Sequence, residues 1–540
     1  MSTLEAYKKA EAPLPDSYRA WQVFGAGLEN VGRDGKPVTV PLRPPADNEI
    51  LLRSDVLGLC LSDMKIIAQG GNHPRLRGRD LAQDPTVLGH ECAGTIVAVG
   101  ADWQDKFKPG ERYIVQADIY YKGVNDAFGY MIPGGLAEYA YLDERALDGD
   151  EGCYLLPVRD ATGYSEAALS EPWACVEMSY VLEDRLQPTG EAQLVVTDAA
   201  ADWAEQLPNA RIISTSLEEL NEGDAFDDIV VTMPTPPLVE TLGERLKPHG
   251  VMFLLGAPAE SGDAMLDVGA IHYQNKRYLG GGDTLAAIAA ANKRNDLLPD
   301  GVGLFIGAGG PMGQMHVQRA IEKQNGLGRV VVTDLDRGRL DHIAQRFGAL
   351  AKSRNAELIT LAPTDFVSQD AMNERIKELG GSAGYSDVVV LAPVPPLVRQ
   401  AVAVAAPSGF VNLFAGLATG TKAPVPLEKL CQGVKMIGCS GSRISDLRAV
   451  LAMVEAKELE SNRSVAAIGG LNAAHAGLRA VKEATFPGKT VIYTHITDFP
   501  LTPLDKLSDV DEDVAAKLSP DGSWTNEAEQ TLLEKYLFEG

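Results

Sequence analysis

The stretch "DDIVVTMPTPPLV" (227–239) returns as "SDVVVLAPVPPLV" (386–398), a step of 159 residues. The same step aligns Gly250 with Gly409 and "KRYLGGGD" (276–283) with "KMIGCSGS" (435–442). Each copy runs from a short Val/Ile-rich segment into a helical one, the alternation of a parallel sheet with crossover helices. A gap-free register over more than fifty residues reads as two copies of one α/β unit. The copies are unequal. The second opens with "VGLFIGAGGPMGQMHVQRAI" and continues to "RVVVTDLD". The first opens directly at "QLVVTDAA", so it lacks the first strand, the glycine loop and the first helix.

The flanks have a different pattern. Up to about residue 190, short apolar runs such as "EILLRSDVLGLC", "GTIVAVG" and "LAEYAYLD" alternate with Gly, Pro and Asp turns, which is a β-rich reading. Four segments are expected: a β-rich domain over 1–190, a truncated repeat over 191–295, a complete doubly wound copy over 296–465, and a return to the first domain over 466–540. The tail from Asp498 is acidic and reads as an appendage docked on the surface.

A net charge of −25 argues against nucleic acid or an anionic membrane as partner, since both repel an acidic surface. The most apolar stretch, "VVVLAPVPPLVRQAVAVAA", holds three prolines and an arginine and does not read as a membrane span. The opening "MSTLEAYKKAEAPLPD" has no apolar core of a secretory signal. Six cysteines in 540 residues, without tight spacing, do not make a disulfide scaffold. The expectation is a cytoplasmic protein acting on a small molecule.

"GLFIGAGGPMG" follows a strand-like run and precedes a helix, the context of a dinucleotide fingerprint. Glycines let backbone approach a diphosphate, and the following helix offers free N–H groups and a positive dipole end. Gly307, Gly309, Gly310, Pro311, Met312 and Gly313 form this loop; counted from Ala308 the spacing is A-x-G-x-x-G. Asp334, ending "RVVVTD", is placed to accept from a ribose diol, which favours NAD over NADP; the competing reading is a helix cap.

"GLCLSDMK" holds Cys60, Ser62 and Asp63; "VLGHECAGTIVAVG" holds His90 and Glu91; "LSEPWACVEMSY" holds Glu171. A thiolate, an imidazole and a carboxylate are the ligand types that hold a catalytic zinc with one position open. A buried cysteine alone is usually only a small apolar residue. Together these segments resemble the zinc-dependent medium-chain alcohol dehydrogenase family. "GLCLSD" is similar to its C-x-[ST]-D segment, "GHECAG" to its G-H-E-x-x-G signature, and "SEPWAC" to the E-P segment of its polyol (sorbitol-type) branch. "GAGGPMG" resembles its nucleotide loop and "PGKTVIY" its return strand. The "GAGGPMGQMHVQRA" variant and an arginine-rich loop resemble the sorbose-1-phosphate reductase type.

The resemblance implies a GroES-like catalytic domain and a Rossmann-type domain, with Cys60 and His90 as zinc ligands. It implies Glu91 or Glu171 as the carboxylate ligand, Ser62 as a proton relay and Asp63 as the group orienting the imidazole. It further implies an enzyme moving a hydride between NAD(H) and an alcohol or ketone. The chain departs from the family in three ways. No cysteine lies between Cys92 and Cys153, so no second, structural zinc is expected; Leu61 replaces the usual glycine, crowding the entrance; and the truncated repeat is inserted.

"GNHPRLRGRD" puts Arg75, Arg77 and Arg79 between the two ligand segments, and guanidinium forks suit phosphate oxygens. The expected substrate is a polyol or a sugar phosphate; the arginines favour a phosphorylated polyol or ketose, and the equal alternative is that they form a solvated or salt-bridged loop. Two further readings stand beside this one: a zinc-free quinone- or enoyl-type reductase, and a non-catalytic NAD-binding scaffold. The inserted copy is expected to mimic a partner subunit, giving a monomer with an internal pseudo-dimer; a homo-oligomer is the alternative.

Overall fold

The computed structural model describes residues 3–181, 184–215 and 217–537. The chain forms two compact units, Met1–Cys175 with Gly441–Gly540, and Val176–Ser440. The first unit is the β-rich, GroES-like one. At the centre of its eight-stranded sheet, the strand Ile50–Leu59 runs antiparallel to Glu91–Val99 on one side and Lys489–Tyr493 on the other. Ile50–Leu59 is buried throughout, so its charged residues need partners. Asp55 supplies them. Its carboxylate accepts from Arg53 Nε at 2.7 Å, from the Tyr7 hydroxyl at 2.5 Å and from Thr95 Oγ1 at 2.5 Å.

This unit resumes at Gly441, ahead of residue 466, because the helix Ile444–Glu455 packs against the helix Tyr164–Ala168. The acidic tail is built into the unit, contrary to the reading of a surface appendage. Trp524 and Glu529 are buried. Glu529 accepts from the Tyr164 and Ser165 N–H groups at 2.6 and 2.8 Å and from the Tyr493 hydroxyl at 2.9 Å. Those two N–H groups open a helix that has no side-chain cap, and a distant carboxylate serves in its place.

The second unit holds two parallel sheets. In the first, β1 (Gln193–Val196), β2 (Arg211–Ile213), β3 (Phe226–Val231), β4 (Leu246–Leu254) and, after β5 (Asp263–Asp267), β6 (Arg277–Leu279) take the order β2-β1-β3-β4-β6. In the second, β7 (Val302–Ile306), β8 (Arg329–Thr333), β9 (Glu357–Leu361), β10 (Tyr385–Val390), β11 (Ala405–Leu413) and, after β12 (Lys422–Pro426), β13 (Lys435–Ile437) take the order β9-β8-β7-β10-β11-β13. The second sheet has β7 between β8 and β10. In the first, β1 pairs directly with β3.

The repeat reaches backbone detail. His249 and Ser408, one step of 159 apart, both take left-handed φ, 62° and 55°. The register shifts at Phe226/Asp228 and again at Tyr385/Asp387. Each copy also clamps the same aspartate: Arg185 reaches Asp228 at 2.6 Å and Arg294 reaches Asp387 at 2.5 Å. The two arginines come from different points in the sequence and converge on one arrangement.

The copies are joined through β5 and β12, which pair antiparallel. Met265 lies opposite Pro424, its own counterpart at the repeat step, and Asp263 opposite Pro426. A strand facing its own copy in this register has a two-fold axis through the central pair, the geometry of an isologous dimer contact. Asp184 bridges both copies, to Arg277 Nε at 3.0 Å and Lys435 Nζ at 2.7 Å, with all three side chains 5 % exposed or less. Replacing Arg277 by Ala leaves this buried carboxylate half-compensated. The expected cost is about 3 kcal/mol, read as a lower melting temperature in calorimetry. Since β6 and β13 lie side by side within one chain, light scattering is expected to give the monomer mass of 57.7 kDa. A dimer joined through β13 would contradict the internal pairing.

Candidate metal centre and nucleotide loop

The antiparallel register places Gly58 opposite Glu91, which brings the end of one strand beside the start of the other. Cys60 follows the first strand and caps the helix Leu61–Gln69, its N–H donating to Asp63 Oδ2 at 3.0 Å. His90 precedes the second strand, after Gly89 at φ +91°. A side chain at 89 would also meet Leu57 Cδ1 at 2.8 Å, so glycine is required at this turn. As a result the Cys60 thiol, one His90 ring nitrogen and one Glu91 carboxylate oxygen lie within 4.8 Å of one another. His90 and Glu91 are buried, while Cys60 is half-buried and gives the cluster its open side.

His90 Nδ1 lies 3.4 Å from Asp63 Oδ1. Burial opposes charge on His90, yet the Asp63 carboxylate and the Cys60 thiol hold its pKa well above the ordinary imidazole value. Glu91 Oε1 is ion-paired with Lys489, while Glu91 Oε2 is buried without a hydrogen-bond partner. A Cβ at Gly58 would come within 2.2 Å of that oxygen, so only glycine leaves it room. Burial works against the Lys489 charge as well, but Glu91 and Cys60 keep its pKa raised. Burial pushes the Glu171 carboxyl up to about 7, His90 opposing and Glu91 adding to the rise. A thiol, an imidazole and a buried carboxylate brought this close together are the donor set of a divalent, zinc-type ion, so the residues fit such a group.

The residues singled out in the sequence fall around this cluster. Ser62 Oγ is 3.6 Å from Cys60 Sγ. Leu61 is 60 % exposed. Glu171, on the helix Ser170–Met178, stands outside the close trio but within its electrostatic reach. The three loop arginines each meet a carboxylate: Arg75 with Asp118 and Arg79 with Asp84, at 2.7 and 2.8 Å, and Arg77 with Asp126. Arg75 approaches the cluster through an aromatic ring, and Arg79 Nη1 donates to the Tyr130 and Met131 carbonyls at 3.5 and 3.1 Å. The Arg75 guanidinium sits 5.2 Å from the centre of the Tyr130 ring, which is 5.9 Å from the His90 ring. Sequence reasoning missed Lys489. Its signal was a lysine opening the apolar strand "KTVIY", a buried charge that must have a partner.

The glycine loop lies in the second unit, between β7 and the helix Pro311–Glu322. Gly307 has φ +73°. A Cβ on Gly309 would fall 2.6 Å from Asp334 Oδ2, and one on Gly313 would fall 2.5 Å from the Ala308 backbone. Gly310, the residue before the helix, has open space on that side, and Pro311 and Met312 begin the helix. The Gly309 N–H donates to Asp334 Oδ2 at 2.7 Å, so the carboxylate is held at the loop, beside the helix start. A backbone cradle with a fixed carboxylate suits a dinucleotide.

Removing Lys489 leaves Glu91 as an uncompensated buried charge. Lys489→Met is expected to lose about 3 kcal/mol of stability, and adding Glu91→Gln is expected to recover most of it. Equal melting temperatures for Lys489→Met and the unmodified protein would show that the pair is not needed.

The alcohol dehydrogenase GroES-like domain family matches residues 46–148, the segment that carries Cys60, His90 and Glu91. Over 505 residues the chain is 26 % identical to the L-sorbose 1-phosphate reductase of Klebsiella pneumoniae, covering 93 % of this chain and 95 % of that protein. It is 24 % identical over 502 residues to the mannitol-1-phosphate 5-dehydrogenase of Aliivibrio fischeri, covering 91 % and 92 %. Among solved structures, the 2R,3R-butanediol dehydrogenase of Bacillus subtilis shares the fold, with a TM-score of 0.51 at 14 % identity over 88 % of this chain and 100 % of that one. Residues 46–148 therefore carry the alcohol dehydrogenase GroES-like domain, and over nine-tenths of its length the chain is similar to medium-chain sugar-phosphate dehydrogenases and reductases.

Proposed function

We propose that this protein is a zinc- and NAD-dependent oxidoreductase acting on a secondary alcohol or ketone of a phosphorylated polyol or sugar. The observation that carries the reading is the close trio of Cys60, His90 and Glu91, whose donor atoms lie within 4.8 Å of one another. Support for a phosphorylated substrate comes from two relatives matched over nine-tenths of the chain, both named for sugar-phosphate chemistry. In this reading Cys60, His90 and either Glu91 or Glu171 hold the zinc, and the glycine loop with Asp334 holds NAD.

A zinc held there would supply Lewis-acid polarisation of an alcohol or carbonyl oxygen, and a bound nicotinamide would supply hydride chemistry. The chain's own residues do the rest. Asp63, 3.4 Å from His90 Nδ1, is the carboxylate that orients the ring in this reading. Lys489 balances Glu91, so one carboxylate oxygen stays free without leaving a bare buried charge. Ser62, beside the Cys60 thiol, is the hydroxyl placed to carry the substrate proton outward. Arg75, one aromatic ring away from His90, is the loop arginine placed to meet a phosphate. Its bond to Asp118 already sets the direction of the guanidinium.

Elemental analysis of the purified protein is expected to find one zinc per chain. Cys60→Ala is expected to lose it, with turnover falling by roughly a thousand-fold, about 4 kcal/mol of barrier. Metal-free protein with full activity would support the zinc-free reductase instead. Across sugar alcohols and ketoses with and without phosphate, NADH absorbance is expected to favour the phosphorylated members. Arg75→Ala is expected to raise KM for those by about ten-fold or more, roughly 1.4 kcal/mol or more, with little effect on free polyols. No turnover across the panel, with NADH still bound, would support a non-catalytic scaffold.

A further inference from the structure

A cavity of about 490 Å³ opens in the first copy of the repeat, the one without a glycine loop. It lies at the carboxyl ends of β1, β3 and β4. Thr197, Asp198 and Ala199 follow β1; Thr232 and Met233 follow β3; Leu255 and Gly256 follow β4. Asp283, beyond β6, and Trp203, on the helix Ala200–Gln206, complete the wall. In open parallel sheets, ligands bind in crevices outside the carboxyl ends of strands, beside the point where strand order reverses. Here β1 and β3 are the strands that would flank the absent counterpart of β7. The room above them is where that strand's loop would have passed.

We propose that this cavity binds an unphosphorylated purine ribonucleoside. Two features set the ligand class. The first is the repeat itself. "VVTD" ends β1 as it ends β8, so Asp198 stands in the first copy where Asp334 stands in the second. Asp334 is tied to the glycine loop through Gly309, whereas Asp198 has a long contact of 3.4 Å from Thr215 Oγ1 and no loop to hold. Its carboxylate is placed to accept from a ribose diol. This placement is the one point that leans on the dinucleotide reading of the second copy. The second feature is the charge and shape of the lining. Two carboxylates, Asp198 and Asp283, face the cavity, and among the described residues no Lys or Arg lines it. With no glycine cradle either, a phosphate would be repelled. A ligand rich in donors is favoured: a diol at one end and an exocyclic amine at the other. Trp203, Met233 and Leu255 give an apolar wall suited to a flat heterocycle. Thr197 and Thr232, joined by a 3.1 Å hydrogen bond, add hydroxyls at the floor. The volume is within the range of small-molecule sites.

The test is calorimetric titration of the full-length protein with adenosine, AMP and ribose. Adenosine is expected to bind. Asp198→Asn is expected to weaken it ten-fold or more, and Ala199→Trp, which fills the cavity mouth, to abolish it. AMP is expected to bind this site at least ten-fold more weakly at low salt. Asp334→Asn is expected to leave the adenosine affinity of this site unchanged, and Asp198→Asn to leave NADH binding unchanged. Adenosine binding lost on Asp334→Asn and retained on Asp198→Asn would place the nucleoside in the second copy and overturn the proposal. Ribose binding as tightly as adenosine, or no adenosine binding at all, would also overturn it. Failure of the dinucleotide reading alone would show separately, as NADH binding that ignores Asp334.

Discussion

One antiparallel register governs the first unit. With Gly58 opposite Glu91, the chain leaves one strand at Cys60 just as it enters the next at His90, and two sequence-distant segments become one cluster. A shift by one residue would turn every side chain of Glu91–Val99 to the other face of the sheet. The register is itself tied down. Gly58 makes room for Glu91, Gly89 makes the turn before His90, and Lys489 on the neighbouring strand neutralises what the pairing buries. Packing and electrostatics therefore agree: the sheet that forms the core also presents the donors.

The second unit uses one architecture twice and keeps different parts of it. The complete copy holds a backbone cradle that tolerates no Cβ at Gly309 or Gly313. The shortened copy keeps its strand pairing, its arginine clamp and its left-handed residue at His249, all of which serve the sheet. What it lacks is the first strand and the glycine loop. Its central strands closed ranks, β1 against β3, because parallel strands buried on both faces cannot leave backbone groups unpaired.

Much of this was legible because it depends on local or periodic signals. The repeat and the strand–loop–helix of residues 302–322 show as spacing or alternation, while the pairing of Cys60 with His90 came from the resemblance of their segments to a known family. Long-range electrostatics did not show. Lys489 meets Glu91 across 398 residues of sequence, and Glu529 caps a helix that begins 365 residues earlier. The arginines of residues 75–79 read as phosphate forks or as a salt-bridged loop, and the sequence did not decide because two of their partners, Asp118 and Asp126, lie well beyond the segment that carries them. The tail read as an appendage because its charge was visible, while the burial of Trp524 and Glu529 was not. The resumption of the first unit at Gly441 was hidden for another reason: an amphipathic helix such as Ile444–Glu455 reads alike whichever core it packs on.

The two-fold contact between β5 and β12 has its halves on one polypeptide. Separate subunits must find each other, and their contact weakens on dilution; a contact closed by a tether does not. A gene encoding identical subunits must also accept every substitution at both ends of the interface. Here each end can change by itself, and Asp184, which grips Arg277 on one side and Lys435 on the other, is a bridge that obeys no mirror.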